Sequence, residues 1–460
     1  MLVGGARTRG PVTLFLAFLA LWTAAALYLR AACFRDPTSY FFRPEEARVL
    51  SYSAYRKGQA RKFADNAALN APVKYGPLHD EDSTAHPDLC VAIGSVSRHG
   101  FSYLKDTLGS ILEGLDDSER RRIYVVAFLA HTNQSVHEDY GQPWLQNMAD
   151  SLPQYPAGDP ALLKMLAELE NDSSYPAHAR KQKIDYSVLL DACAQVSPAY
   201  TMTIEDDVIA LDGWFHRLLA ALGSAKRKAG ELGQDSFFYL RIFYDGRLLG
   251  WNSEEWLTYL VTCASVVLAE LVILGLLSHP RSPVSSAAVR KLVTPATVLL
   301  VCGVCTPMSM GLYFLAGRDC MLPRRPGVEL MHKYGCCAQG LVFPQEQVTR
   351  HLLPMYNASA FAEDGGHAVA VDTFMEDWAN AQVDDAGEEH KGNNRALRFA
   401  VTPVLIQHVG GKSSHGVGDQ QGGKLTDDTP FDYKFELNDP VQLAREHQQW
   451  LEEELGTGRT

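Results

Sequence analysis

The sequence predicts an α/β domain of Rossmann type, interrupted by a transmembrane helical hairpin and preceded by an N-terminal transmembrane anchor. Three observations predict it. Apolar, strand-like runs alternate with amphipathic helical stretches over 89–130 and again over 179–244, which is the pattern of βαβ units. Segments 12–32, 256–277 and 292–317 are each long and apolar enough to cross a bilayer. The apolar run at 200–204 ends abruptly in three consecutive carboxylates, Glu205, Asp206 and Asp207.

Bulk properties limit the possibilities. The 460 residues, 46% of them hydrophobic, hold one large α/β domain plus membrane segments. A net charge of −12 with no dense basic stripe leaves no nucleic-acid partner to expect. Nine cysteines suit a secretory-pathway enzyme with one or two bridges better than a disulfide scaffold.

Taken in order, residues 1–11 read as a cytosolic N-terminus carrying Arg7 and Arg9, and 12–32 as a signal anchor; the alternative is a signal peptide cleaved near Ala31 and Ala32. Residues 33–88 are mixed and polar, a stem with one helical stretch around 45–66. The run LCVAIGSVSRHG is a buried strand that leads into Ser95, Ser97 and Arg98, followed by a helix over about 103–115 and a second strand at 123–130. A nucleotide is expected on the turn after the first strand, where free N–H groups and Arg98 meet phosphate or base. A plain surface arginine is the competing reading.

A helix at 179–195 carries Lys181, Lys183 and Asp185 near its start and delivers the chain into the acidic strand. Three carboxylates cannot be buried unpaired. At the C-terminal edge of a parallel strand they suit Mn²⁺ or Mg²⁺, with coordination positions left over for diphosphate oxygens. The competing reading is a solvated turn in which Asp207 or Asp212 caps the helix that starts near Trp214. A strand at 237–244 completes the first part of the domain, 89–255.

The link between the two later spans, 278–291, carries Arg281, Arg290 and Lys291, which places the hairpin tip in the cytosol and both its ends in the lumen. The sequons at Asn133, Asn171 and Asn357 all fall on the lumenal side. Glu270, the lone acid at membrane depth, is expected to be hydrogen-bonded to a partner helix, and Cys302 and Cys305 to be packing residues. In the second part, 318–460, Cys320, Cys336 and Cys337 cluster in an oxidising compartment, so Cys320 is expected to pair with one of the other two. Residues 367–381 begin extended and become helical with Asp372, Glu376 and Asp377, and 395–416 is a strand region that reaches His408 and a glycine-rich loop.

KQKIDYSVLLDACAQ followed by YTMTIEDDV resembles the helix and metal-binding strand of N-acetylglucosaminyltransferase IV and its relatives, which have a GT-A glycosyltransferase fold. AVDTFMEDW and LIQHVGGKSS are similar to the two C-terminal motifs of that group, in the same order. The hairpin inside the domain departs from that group and resembles instead the Golgi glycosylphosphatidylinositol (GPI) N-acetylgalactosaminyltransferase family, over nearly the whole chain. The resemblance implies a multi-pass Golgi enzyme with its catalytic domain lumenal. The implied donor is UDP-N-acetylgalactosamine and the implied acceptor the first mannose of the GPI glycan on GPI-anchored proteins, joined in β linkage. It implies Mn²⁺ (or Mg²⁺) on Asp207 with help from Glu205 and His408, and donor contacts from Ser97, Arg98, Lys181, Asp185, Glu205, Asp206 and His408. The catalytic base would be Asp372, Glu376 or Asp377, with Asp372 favoured. The triplet here is EDD, without an aspartate first, which makes the role of Glu205 the more open one. Two other expectations stand beside this: a transferase using another UDP-sugar on N-glycans or glycolipids, and a non-catalytic membrane protein with a degenerate transferase domain.

Overall fold

The computed structural model describes residues 5–70, 86–98, 100–283, 285–331, 335, 337–362, 369–382, 396–411 and 429–457. The chain divides into two compact units, 1–49 with 246–324 and 50–245 with 325–460.

In the first unit three helices, Gly10–Ala32, Trp256–Ser278 and Pro295–Leu315, are long and apolar enough to cross a membrane. The third contains a π-helical turn at Val301–Cys305. Where water is absent, polar groups must find partners on neighbouring helices, and they do. Trp22 Nε1 donates to Met308 O at 3.0 Å, and Thr306 Oγ1 donates to the Glu270 carboxylate at 2.7 Å.

The expected pairing of Cys320 is corrected: its partner is Cys33, 287 residues away, and neither Cys336 nor Cys337. The chain leaving the first span is bonded to the end of the third, with Tyr40 N donating to Leu315 O and Cys320 N to the Asp36 carboxylate. Two spans that end side by side bring together cysteines that look unrelated along the sequence. Cys337 is also disulfide-bonded; Cys336 lies outside the described residues.

The second unit is built on a seven-stranded mixed sheet in the order β2-β1-β3-β7-β5-β8-β6. The strands are β1 (Leu89–Ser95), β2 (Ile123–Leu129), β3 (Tyr200–Glu205), β5 (Tyr239–Arg241), β6 (Gly327–Leu330), β7 (Gly340–Pro344) and β8 (Arg398–Thr402). β1 runs parallel to both β2 and β3, and β5 parallel to β8, whereas the β3–β7, β5–β7 and β6–β8 pairs are antiparallel. Strands β1, β2 and β7 are buried almost throughout, as continuous apolar runs should be when both faces are covered. The helix Tyr175–Ala194 lies against β1 and is stapled to it by a Cys90–Cys193 disulfide. A separate two-stranded antiparallel ladder joins β4 (Val208–Ala210) to β9 (Ile406–His408).

Part of the segment expected as a stem belongs to this unit. Helix Tyr52–Leu69 packs on helix Leu104–Leu112, and the fully buried Arg56 donates from Nε to Ala210 O and from Nη2 to Ser110 O.

The C-terminal helix Pro440–Thr457 is held by a buried ion cluster. His447 Nε2 lies 3.0 Å from the Glu119 carboxylate and its Nδ1 lies 3.5 Å from Asp212, while its ring stacks on His216 at 5.1 Å. Burial disfavours the imidazolium, but the two carboxylates outweigh it and push His447 up to about 9 from 6.5. The folded state therefore binds this proton more tightly, so the stabilisation is full below about 6.5 and is lost as pH rises through about 9. Hydrogen exchange in the C-terminal helix is expected to accelerate over that interval, beyond the intrinsic rise, and His447→Gln is expected to remove the effect.

Candidate metal and donor site

The parallel trio β2-β1-β3 ends at one edge, and there the chain gathers its chemistry. From β3 come Glu205, Asp206 and Asp207, and each is handled differently. Asp206 is taken by Arg98 in a bidentate pair, 2.6 Å from Nη1 and 2.7 Å from Nη2, and also accepts from Ser95 Oγ. His137 Nε2 is 2.9 Å from the same hydroxyl and its Nδ1 accepts from Asp139 N, which makes Nε2 the protonated nitrogen. Burial holds His137 down at about 4, so it acts as a neutral donor.

Asp207 faces His408, whose Nε2 is 3.3 Å from Oδ2. The β4–β9 register puts His408 opposite Val208, and Val409 N donates to Asp207 O at 2.9 Å, so the neighbourhood is fixed by backbone bonds. Burial alone would raise Asp207, but His408 and, more weakly, Arg98 outweigh it and hold the carboxyl below its ordinary value. His408 is raised in turn, Asp207 overcoming the opposing effect of burial. Glu205 makes no such ion pair among the described residues: burial first, then the charge of Asp207, push it up to about 8.

Glu205, Asp207 and His408 each bring a ligand atom to within 4.8 Å of the others. Asp207 Oδ1 and His408 Nδ1 are buried without partners, and a Cβ on Gly410 would run into the Asp207 carboxylate. Two carboxylates and an imidazole suit a divalent cation of Mn²⁺ or Mg²⁺ type. A second group of this size among the described residues, Glu119, His216 and His447, fits a cation poorly. The two imidazoles stack with planes 20° apart, so their in-plane lone pairs run side by side and do not converge.

Lys181 and Asp185 sit at the end of β2. Lys181 Nζ donates to Ala130 O at 2.7 Å, to Tyr155 OH at 3.0 Å and to Asp185 at 3.0 Å, and Tyr155 OH donates to Asp185. Ser97, just beyond β1, donates from Oγ to Glu138 at 2.7 Å and from N to His131 Nε2 at 2.8 Å. The three acids of helix Val371–Ala381 separate. Asp372, in its first turn, stands near enough to Glu205 to contribute to that group's raised pKa. Glu376 is buried in an ion network, 2.8 Å from Arg241 and 2.7 Å from Arg398, and accepts from Tyr239 OH. Asp377 is exposed.

In the sequence Ser95 stands out only as a strand-end residue without a role, and His137, Arg241 and Arg398 do not stand out at all. Ser95 and His137 lie in unremarkable strand-end and loop contexts, and an arginine inside an apolar strand reads as a surface residue until its buried acid is located. Asn133, Asn171 and Asn357 are all exposed. The glycine-rich loop after His408 lies outside the described residues from 412 to 428.

A family model described as GPI-N-acetylgalactosamine transferase PGAP4 matches residues 89–382. The chain belongs to that family. The match takes in β1 to β3, the acidic triplet, the second and third apolar helices and Asp372, and stops short of His408. The chain is also similar to alpha-1,3-mannosyl-glycoprotein 4-beta-N-acetylglucosaminyltransferase C of Danio rerio, 31% identical over 136 residues, which cover 26% of this chain and 28% of that protein. The proteins of the same description from Sus scrofa and Mus musculus are each 34% identical over 133 residues, covering 26% of this chain and 27% of theirs. The chain thus spans just over a quarter of the length of the curated relatives it matches.

Glu205, at about 8, holds a proton at pH 7, and a cation must displace it. Mn²⁺ affinity is therefore expected to rise with pH up to about 8 and then level off. Calorimetry at pH 7 in two buffers of different ionisation enthalpy is expected to read about one proton released, from Glu205.

Proposed function

We propose that the chain is a GT-A-like inverting glycosyltransferase that moves N-acetylgalactosamine from UDP-N-acetylgalactosamine, in β linkage, to the first mannose of the GPI glycan on GPI-anchored proteins. The convergence of Glu205, Asp207 and His408 where the parallel strands end carries this reading, because ligands of α/β sheets bind outside that edge. The family description supports the donor and the GPI acceptor.

Glu205, Asp207 and His408 would hold Mn²⁺ or Mg²⁺, which when bound neutralises the charge of the leaving diphosphate. Arg98, committed to Asp206, keeps the middle carboxylate from competing for that charge. A cavity of about 190 Å³ lined by His131, Thr132, Gln134 and Tyr155 adjoins Lys181 through Tyr155 and offers the nucleoside its place, with Ser97 and Asp185 at its margin. Asp372 accepts the proton of the attacking hydroxyl. Glu376, held by two arginines, and Asp377, turned to solvent, are poorer bases.

Three helices long and apolar enough to cross a membrane support a multi-pass membrane protein, and a Golgi site with the catalytic unit lumenal accords with exposed sequons at Asn133, Asn171 and Asn357. The membrane unit is inserted within the catalytic unit, between Asp245 and Arg325. Tethering of this kind raises the effective concentration of the enzyme towards an acceptor that is itself lipid-anchored. The names of the curated relatives support a second reading, in which the donor is UDP-N-acetylglucosamine and the acceptor a mannose of a glycoprotein glycan.

Purified full-length chain is expected to turn over UDP-N-acetylgalactosamine on a GPI-anchored acceptor in a Mn²⁺-dependent way, with Asp207→Ala lowering the rate by about 100-fold or more. Preference for UDP-N-acetylglucosamine and a mannose-terminated N-glycan would establish the second reading; activity untouched by Asp207→Ala would remove the site. Replacing 256–317 with a soluble linker is expected to abolish transfer to GPI-anchored acceptors in membranes while sparing donor hydrolysis, and equal loss of both would refute the tethering role.

A further inference from the structure

Beneath the edge that carries Glu205 lies a small cavity. Its walls include Tyr186, Thr203, Ala338, Tyr356, Asp372 and Met375, and its free space takes one water- or methyl-sized group. The position is set by strand register. β3 and β7 are antiparallel with Thr203 opposite Leu341, and Glu205 N donates to Gln339 O at 3.4 Å. Opposed residues share a face and the side-chain period is two, so Thr203, Glu205 and Leu341 face the same side of the sheet, the side on which Asp372 stands; Gln339 comes just before β7, next to Ala338 of the cavity wall.

Two polar atoms here lack partners. Thr203 is 2% exposed and Gln339 7% exposed, and among the described residues neither Thr203 Oγ1 nor Gln339 Oε1 has a hydrogen-bond partner. Buried polar groups in folded proteins are almost always paired, so an orphan in the cavity wall, with a second on the residue next to Ala338 of that wall, calls for a ligand. The hydroxyl can donate and the carboxamide oxygen can only accept. A secondary amide presents the complement, one C=O and one N–H, and the apolar walls with their methyl-sized space match the methyl of an acetyl group.

We propose that this cavity receives the acetamido group of the donor sugar, with Thr203 donating to the amide oxygen, Gln339 accepting from the amide N–H and Ala338 and Met375 enclosing the methyl. The assignment rests on the reading of the chain as a UDP-sugar transferase and names what selects an N-acetylhexosamine over a plain hexose. A 2-hydroxyl in place of the acetamido group leaves the methyl space empty and an orphan unmet, and sites that hydrogen-bond a substrate group discriminate strongly against analogues that lack it.

The test uses purified full-length chain in detergent micelles with Mn²⁺, and dissociation constants for UDP, UDP-galactose and UDP-N-acetylgalactosamine. The intact chain is expected to bind UDP-N-acetylgalactosamine at least about 10-fold more tightly than UDP-galactose. Thr203→Val, which keeps the shape, and Ala338→Leu, which fills the space, are expected to shrink that ratio to about 2-fold, with Thr203→Ser restoring it. A ratio unchanged in both variants, or both UDP-sugars weakening together while UDP itself binds normally, overturns the assignment. A donor series on the intact chain needs no variant: an N-butanoyl group is expected to bind about 10-fold more weakly than N-acetyl, and equal binding overturns the assignment as well. A chain that binds UDP but neither UDP-sugar more tightly refutes the pocket alone, whereas a chain that binds no uridine nucleotide refutes the transferase reading on which it rests.

Discussion

Three carboxylates in a row at the end of one buried strand are held together only because each discharges its negative charge differently. Asp206 is paired with Arg98 in a two-point contact, Asp207 is paired with His408, and Glu205, which makes no ion pair among the described residues, favours its protonated form. Like charges this close cannot all persist in a poorly solvated edge. The arrangement leaves one ion pair spent on structure and two acidic groups facing the same point, which is the electrostatic condition for gripping a divalent cation. Much of the rest of the catalytic unit can be understood as what supplies these counter-charges at the right places.

His408 arrives from about 200 residues downstream, and what delivers it is a three-rung backbone ladder between β4 and β9. Arg98 is held on the other side by the turn after β1, where Ser95, His137 and Asp206 form a chain of hydrogen bonds. Helix Tyr175–Ala194 carries Lys181 and Asp185, and its far end is stapled to β1 by Cys90–Cys193. Helix Val371–Ala381 carries Asp372 and is anchored by Glu376 to Arg241 on β5 and Arg398 on β8. Two acids four residues apart on one helix thus divide the work: one is consumed in holding the helix and the other is left at the site.

The membrane unit follows different rules. Lipid removes the hydrophobic drive between its helices, so packing and polar contacts tie them: the Tyr259 and Phe314 rings, Trp22 to Met308 and Thr306 to Glu270, together with the Cys33–Cys320 bridge near the helix ends. The sequence could place Glu270 as a group in need of a partner, but not name Thr306, because helix rotation is set by packing. The same limit misled the cysteine pairing, which was argued from nearness along the chain when nearness in space was governed by two spans ending together.

Periodicity and chemistry in the sequence alone determined the alternation of strands and helices, the three apolar segments and the acidic triplet at a strand end, features that depend on local pattern; the association of His408 with Glu205 and Asp207 came only from the resemblance of its motif to a transferase family. Tertiary structure alone decided that the sheet is mixed, that β3 is parallel on one side and antiparallel on the other, that Arg98 serves Asp206, that Glu376 is a clamp while Asp372 stands near Glu205, and that Cys33 meets Cys320. The physical reason is common to all of these: a charge, a thiol or an orphaned hydroxyl has a need that is visible in its residue type, but the partner that satisfies it is chosen by strand register and helix packing, which bring together residues that no local pattern connects.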